Sequence, residues 1–207
     1  QKTRLNLGLE FRIAGNDIQS RIHHFDLSAS EPDIRMNRME GDFRLQSQTL
    51  HWEELNLVFH QTKLHSTGYA VVNDPAMSHG QLILSPLAVE EFRPWLGDIE
   101  LYGTPEIRIK VEEKEGKKPF VLEVTEGQQK LSASGWINNP GQQAQYEVNL
   151  QLEEWDGQHW THNPQFNSSL NGRFTVTGKN FSPETSTFSL QGTSKNIRFN
   201  EYQLKNT

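Results

Sequence analysis

The strongest constraint on this chain is an alternation of apolar and polar side chains with a period of two residues. The clearest stretches run over 5–13, 107–112 and 146–153. Successive side chains of a β-strand point to opposite faces, so each stretch predicts a strand with one apolar and one polar face. Such strands form antiparallel sheets that have one solvated side. We therefore predict an all-β fold.

Helical signals are confined to one segment. Ser85 can cap a helix, Pro86 suits the first helical position, and Pro94 should end the helix. The pattern predicts one short helix near 86–92, with strands or turns elsewhere.

An internal repeat combines strands, glycines and turns. LHSTGYA at 64–70 aligns with LSASGWI at 131–137, and a looser copy surrounds Gly178. Turn residues follow each copy, at 73–75, 138–141 and 180–183. The repeating unit is therefore a hairpin whose glycine permits a bulge, a bend or the close approach of another backbone. Glycines placed in this way let a sheet curve sharply.

Composition and motifs exclude several classes of protein. The formal net charge of −6 gives no basic field for nucleic acid. The chain has no cysteine, which excludes disulfides, thiolate catalysis and cysteine metal sites. Asp156, His159 and His162 form the best metal candidate, but they are too few and lie in a polar loop. We expect no catalytic residues, no metal and no cofactor.

The apolar sides of the strands must be covered in some way, and the pattern leaves two arrangements open. Two sheets can pack about 10 Å apart as a closed sandwich. Alternatively, one strongly curved sheet can leave an open apolar groove, which suits acyl chains. The closed sandwich would be a binding module that recognises carbohydrate or protein through its loops.

Several short motifs occur in an order that resembles TamB and the wider AsmA-like proteins. They are LNL at 55–57, TKLHSTG at 62–68, SPL at 85–87 and SLNGRFTVTGKNFSPET at 169–185. The resemblance runs from about residue 25 to the end of the chain. It implies an elongated, taco-like antiparallel sheet with an apolar interior, and it favours the groove.

The resemblance also implies a function. Residues 1–207 would be a single elongated β-groove segment, an internal fragment of a protein that is anchored in the inner membrane and extends across the periplasm. The implied partners are phospholipid and, through the full-length protein, an outer-membrane barrel of the TamA/BamA type. The expected groove lining is Leu5, Leu7, Leu9, Phe11, Ile13, Ile107, Ile109, Val111, Tyr146, Val148, Leu150, Leu152, Phe174 and Val176.

Overall fold

The computed structural model describes residues 3–15, 17–30, 33–72, 78–93, 100–114, 117–138, 144–180, 185–199 and 202–205. These residues form one 14-stranded antiparallel sheet. The all-β fold predicted from the alternation is therefore confirmed, as is the single curved sheet that the resemblance implied. The sheet is open, because its first and last strands each pair with one neighbour only among the described residues.

The strands follow one another across the sheet in chain order, apart from β3, which pairs only with β2. The strands are β1 (Thr3–Ala14), β2 (Asp17–Ser30), β3 (Asp33–Met36), β4 (Arg38–Gln46), β5 (Thr49–Val58), β6 (Lys63–Val71), β7 (His79–Leu84), β8 (Glu106–Val111), β9 (Lys117–Glu126), β10 (Gln129–Asn138), β11 (Gln145–Trp155), β12 (Ser168–Lys179), β13 (Thr187–Phe199) and β14 (Tyr202–Lys205).

A β-bulge in β5 keeps its apolar residues on one face. Leu50 and Trp52 occupy even positions, whereas Leu55 and Leu57 occupy odd positions. The register against β6 shifts between Trp52 and Leu55, where Glu54 has a φ of 50°. An extra residue in one strand reverses the alternation beyond it. All four apolar side chains consequently face the same way.

The same device recurs in β11. Its register against β12 shifts between Leu152 and Trp155, and Glu154 has a φ of 46°. The Glu154 N–H, which the bulge displaces from the ladder, donates to the side-chain oxygen of Asn171 over 2.9 Å. Both bulges fall on a Glu-Glu pair that is followed by an apolar residue.

The glycines of the repeat lie where neighbouring atoms approach closely. A Cβ on Gly68 would be 2.8 Å from Cζ2 of Trp52, and a Cβ on Gly135 would overlap the backbone of Glu147. Both glycines face the side of the sheet that carries the apolar residues. Close approach, one of the three roles predicted for these glycines, is thus the one that the structure uses.

Helical structure is short. The segment predicted as a helix near 86–92 forms one 3-10 turn, Val89–Phe92, whose N-cap is Ala88 rather than Ser85. Helix α1 (Gly157–Thr161) and a second 3-10 turn (Pro164–Phe166) lie between β11 and β12. The turns predicted at 73–75, 139–141 and 181–183, and Pro94, lie outside the described residues.

Gly135→Ala tests the close approach. A methyl group there must displace the β11 backbone, so we expect a loss of about 1–3 kcal/mol in the free energy of unfolding. Gly8→Ala is the matched control, because its Cβ would have no neighbour closer than 3.7 Å. Urea unfolding measures both variants, and equal stabilities would contradict this explanation of the repeat.

Candidate functional site: an apolar face across the sheet

The residues predicted to line a groove all fall on one face of the sheet, which we call the apolar face. The strand registers connect them from neighbour to neighbour. One row across the sheet is Phe11, Ser20, Phe43, Trp52, Gly68, Gly80, Val111, Phe120, Gly135, Val148, Val176 and Leu190. A parallel row in the second half of the sheet is Leu82, Ile109, Leu122, Ala133, Leu150, Phe174 and Gly192.

Several members of the apolar face were missed by the sequence analysis. They lie on strands with weaker alternation, and register alone brings them beside the predicted residues. They are Ile18, Ile22, Phe43, Leu45, Trp52, Leu57, Leu64, Leu82, Leu84, Phe120, Leu122, Val124 and Leu131. At the bulges the apolar residues change from even to odd positions, so part of this set does not follow a regular alternation along the sequence.

Aromatic rings on the apolar face lie against glycines of neighbouring strands. Trp52 extends over Gly68 and Gly80, while its indole N–H donates to Oγ of Ser66 over 3.0 Å. Phe174 in the same way lies against Gly192. A ring that covers a glycine shields backbone that would otherwise be bare. Aromatic rings therefore take the place of the missing glycine side chains on the apolar face.

Exposure varies along the apolar face. Leu122, Leu150 and Phe174, at its centre, are half-buried. Phe11 on β1 is 67% exposed, and Phe188 on β13 is 69% exposed. Contiguous exposed apolar surface is typical of interaction sites in folded proteins. No second sheet covers it in the part of the chain that the structure describes.

One set of strand ends is covered by what we call the cap, made of segments 85–93, 100–105 and 156–167. Backbone hydrogen bonds join its parts: Leu87 N–H to Pro105 O at 2.8 Å, and Tyr102 N–H to Trp160 O at 2.9 Å. Ala88 and Trp160, only 2% and 8% exposed, are among the most buried apolar residues described. The best-packed part of the molecule is thus at this edge of the sheet.

The β5–β6 turn binds the cap through polar groups. Thr62 is fully buried, and its Oγ1 accepts a hydrogen bond from Ala88 N–H over 2.8 Å. The carboxylate of Glu91 accepts hydrogen bonds from the backbone N–H groups of Gln61 and Thr62. These contacts satisfy backbone donors that the turn would otherwise leave unpaired.

Helix α1 is held by its own capping residue. Oδ1 of Asp156 accepts hydrogen bonds from the N–H groups of Gln158 and Ser168, both at 3.0 Å. Trp160 stacks on Trp155 with ring centroids 5.0 Å apart. Its indole N–H donates to the side-chain oxygen of Gln129 over 3.0 Å. The cap is thereby fixed to β10 and β11.

The three residues of the metal candidate, Asp156, His159 and His162, each contact a different partner in the structure. Asp156 caps α1, His162 stacks on Tyr102 at 4.0 Å, and Nε2 of His159 lies 3.4 Å from Oε2 of Glu126. The described residues contain no group of three His, Cys, Asp or Glu side chains that could hold a metal ion.

Glu106 links the cap to the sheet electrostatically. The Ser85 hydroxyl donates to its carboxylate over 2.8 Å, and Arg108 lies on its other oxygen at 2.6 Å. Both contacts favour the charged form, so they lower the pKa of Glu106, the serine hydrogen bond most strongly.

The chain matches no family model, no curated protein and no solved structure. Within the described residues, no helix has the length and apolar character needed to span a membrane.

Removing the central side chain of the cap should be costly. Trp160→Ala deletes a buried ring and leaves the Gln129 oxygen without its indole donor, so we expect a loss of about 3–5 kcal/mol in the free energy of unfolding. Phe166→Ala removes a cap ring that is 45% exposed, and it should cost less than about 1 kcal/mol. Equal losses by urea denaturation would contradict the packing described for the cap.

Ser85→Ala should raise the pKa of Glu106 toward its ordinary value of 4.5. Because the folded pKa is depressed, this carboxylate stabilises the fold above its unfolded pKa, and the contribution is lost as pH falls through the folded pKa. Carboxyl NMR titration measures the shift. Arg108→Gln is the comparison and should also raise the pKa, since Arg108 lowers it both by its charge and by a hydrogen bond. An unchanged pKa of Glu106 in Ser85→Ala would contradict the role of the serine hydrogen bond.

Proposed function

We propose that the apolar face carries the acyl chains of phospholipids. The supporting observation is a row of apolar and glycine residues that crosses the sheet from β1 to β13, with Ser20 as its polar member on β2 and with no second sheet over it among the described residues. Each methylene that moves from water onto such a surface contributes about 0.8 kcal/mol. An acyl chain therefore gains enough from a continuous face without a closed pocket.

The cap makes the two sets of strand ends different from each other. It covers the strand ends where β7 and β11 finish and where β8 and β12 begin. Acyl chains would lie on the apolar face, and head groups would project toward the strand ends that the cap does not cover. Such an arrangement selects acyl chains strongly and head groups weakly.

The cellular setting is part of the same proposal and rests on the resemblance to AsmA-like proteins. The segment would belong to a periplasmic bridge anchored in the inner membrane, and it would pass phospholipid toward the outer membrane and support outer-membrane biogenesis. A barrel of the TamA/BamA type would be its partner through the full-length protein. The alternative of a closed sandwich requires a second sheet, and the described strands all belong to one.

A single charge on the apolar face should block lipid binding without unfolding the chain. Val148→Asp puts a carboxylate between Gly135 and Val176. An unpaired charge against hydrocarbon costs several kcal/mol, but water reaches an open face when no lipid is bound. We expect a fall of at least about tenfold in the binding of a fluorescent phospholipid, since each 1.4 kcal/mol is one factor of ten.

The control is Asn149→Asp, which adds the same charge one residue away on the exposed opposite face. Its lipid binding and melting temperature should match those of the original chain. Loss of the folded state in Val148→Asp would identify the face as a closed core. A folded Val148→Asp variant with unchanged lipid binding would exclude this face as the acyl-chain site.

A further inference from the structure

The opposite, polar face of the sheet carries a second candidate site. An open cavity of about 470 Å³ lies over β1, β2, β4 and β5. Four of its lining residues form one row in direct register: Arg12 faces Gln19, Gln19 faces Arg44, and Arg44 faces His51. We call these four residues the basic row.

The two arginines of the basic row differ from the other arginines around them. Arg21, which also lines the cavity, makes an ion pair with Asp42 at 2.5 Å, and Arg38 pairs with Glu40 at 2.6 Å. Neither Arg12 nor Arg44 is ion paired with any carboxylate among the described residues. Their guanidinium groups are therefore available to a ligand.

Strand spacing puts the two guanidinium groups within reach of one small anion. Arg12 and Arg44 flank Gln19 on adjacent strands, so their backbones are about 10 Å apart. Both side chains are long enough to converge above Gln19, whose amide adds a donor. His51 adds an imidazole on the far side of Arg44, and its ring lies 5.7 Å from that of Tyr69, which limits its freedom.

We propose that the basic row binds a phosphate group. A guanidinium offers a planar fork of N–H donors that matches phosphate oxygens, and two such forks neutralise a dianion. The cavity is open, so the phosphate can belong to a larger molecule. The site lies on the face opposite to the proposed acyl-chain surface and does not depend on that function.

The carboxylates around the cavity limit what it accepts. Oε2 of Glu10 lies 3.2 Å from Nε2 of His23, and Asp42 forms an ion pair with Arg21. Glu53 also lines the cavity and is in no ion pair among the described residues. Its charge repels an anion, so its neutralisation should strengthen binding.

The test is an NMR titration of the full chain with inorganic phosphate at low ionic strength, because salt screens exposed charges. Backbone amide shifts should move at Arg12, Gln19, Arg44 and His51 and saturate. In the double variant Arg12→Gln/Arg44→Gln the affinity should fall at least about tenfold, as loss of charge-assisted hydrogen bonds requires. Glu53→Gln should bind phosphate more tightly than the original chain.

The matched control is Lys110→Gln with Lys130→Gln, which removes two positive charges from the same face at lysines that already pair with Glu112 and Glu123. It should leave phosphate affinity within about twofold, because distant exposed charges are screened. An equal loss in both double variants, or no saturable shift at the basic row, would overturn the proposal.

Vesicles identify the source of the phosphate. Flotation with phosphatidylcholine vesicles that contain phosphatidylglycerol, compared with phosphatidylcholine alone, tests a lipid head group. Flotation that requires the anionic lipid, Arg12 and Arg44 assigns the site to head groups at a membrane surface. Saturable binding of glycerol phosphate without such flotation assigns it to a soluble phosphate ester. Either result supports the phosphate site, and failure of both probes contradicts it.

Discussion

The whole structure depends on strand register. A slip of one residue would turn the apolar side chains of a strand into water and its polar side chains onto the apolar face. Ladders of backbone hydrogen bonds fix that register across the sheet. In β5 and β11 the apolar residues change from even to odd positions along the strand. A bulge at a Glu-Glu pair keeps these side chains on one face of the sheet. Local backbone distortion is thus the cost of a continuous apolar face.

Glycine and aromatic residues shape that face together. Glycines of the repeat remove side chains where backbone or rings approach closely, as Gly135 does beside Glu147. Rings of neighbouring strands, such as Trp52, then cover the exposed backbone. The most buried apolar residues described, Ala88 and Trp160 among them, lie in the cap. An extended apolar surface with one packed edge is the arrangement on which the proposed binding of acyl chains rests.

Much of this arrangement could be predicted from the sequence. Alternation at 107–112 and 146–153 identified strands and assigned Ile109 and Leu150 to a common face, because the period of two is a local property. The repeated glycines predicted a bulge, a bend or the close approach of another backbone, and only the structure shows that close approach applies at Gly68 and Gly135. The bulges could not be predicted, since Glu54 and Glu154 adopt positive φ only when the flanking strands require it.

The cap and the basic row depend on contacts between distant segments. Ser85 resembles a helix cap, but its hydroxyl bonds Glu106, and the helical turn begins only after Ala88. Helix α1 is too short to show a periodic pattern, and it exists because Asp156 caps it. Arg12 and Arg44 are far apart in sequence, and only the register of β1, β2 and β4 places them around Gln19.

The most direct measurement of the central claim is paramagnetic broadening by a phospholipid with a nitroxide on its acyl chain. Leu122 lies on the apolar face, and its neighbour Val121, which is 46% exposed, lies on the opposite face. Bound lipid should broaden the methyl signals of Leu122 and Leu150 more strongly than those of Val121. Equal broadening of Val121 and Leu122, or broadening of neither, would contradict acyl-chain binding on the apolar face.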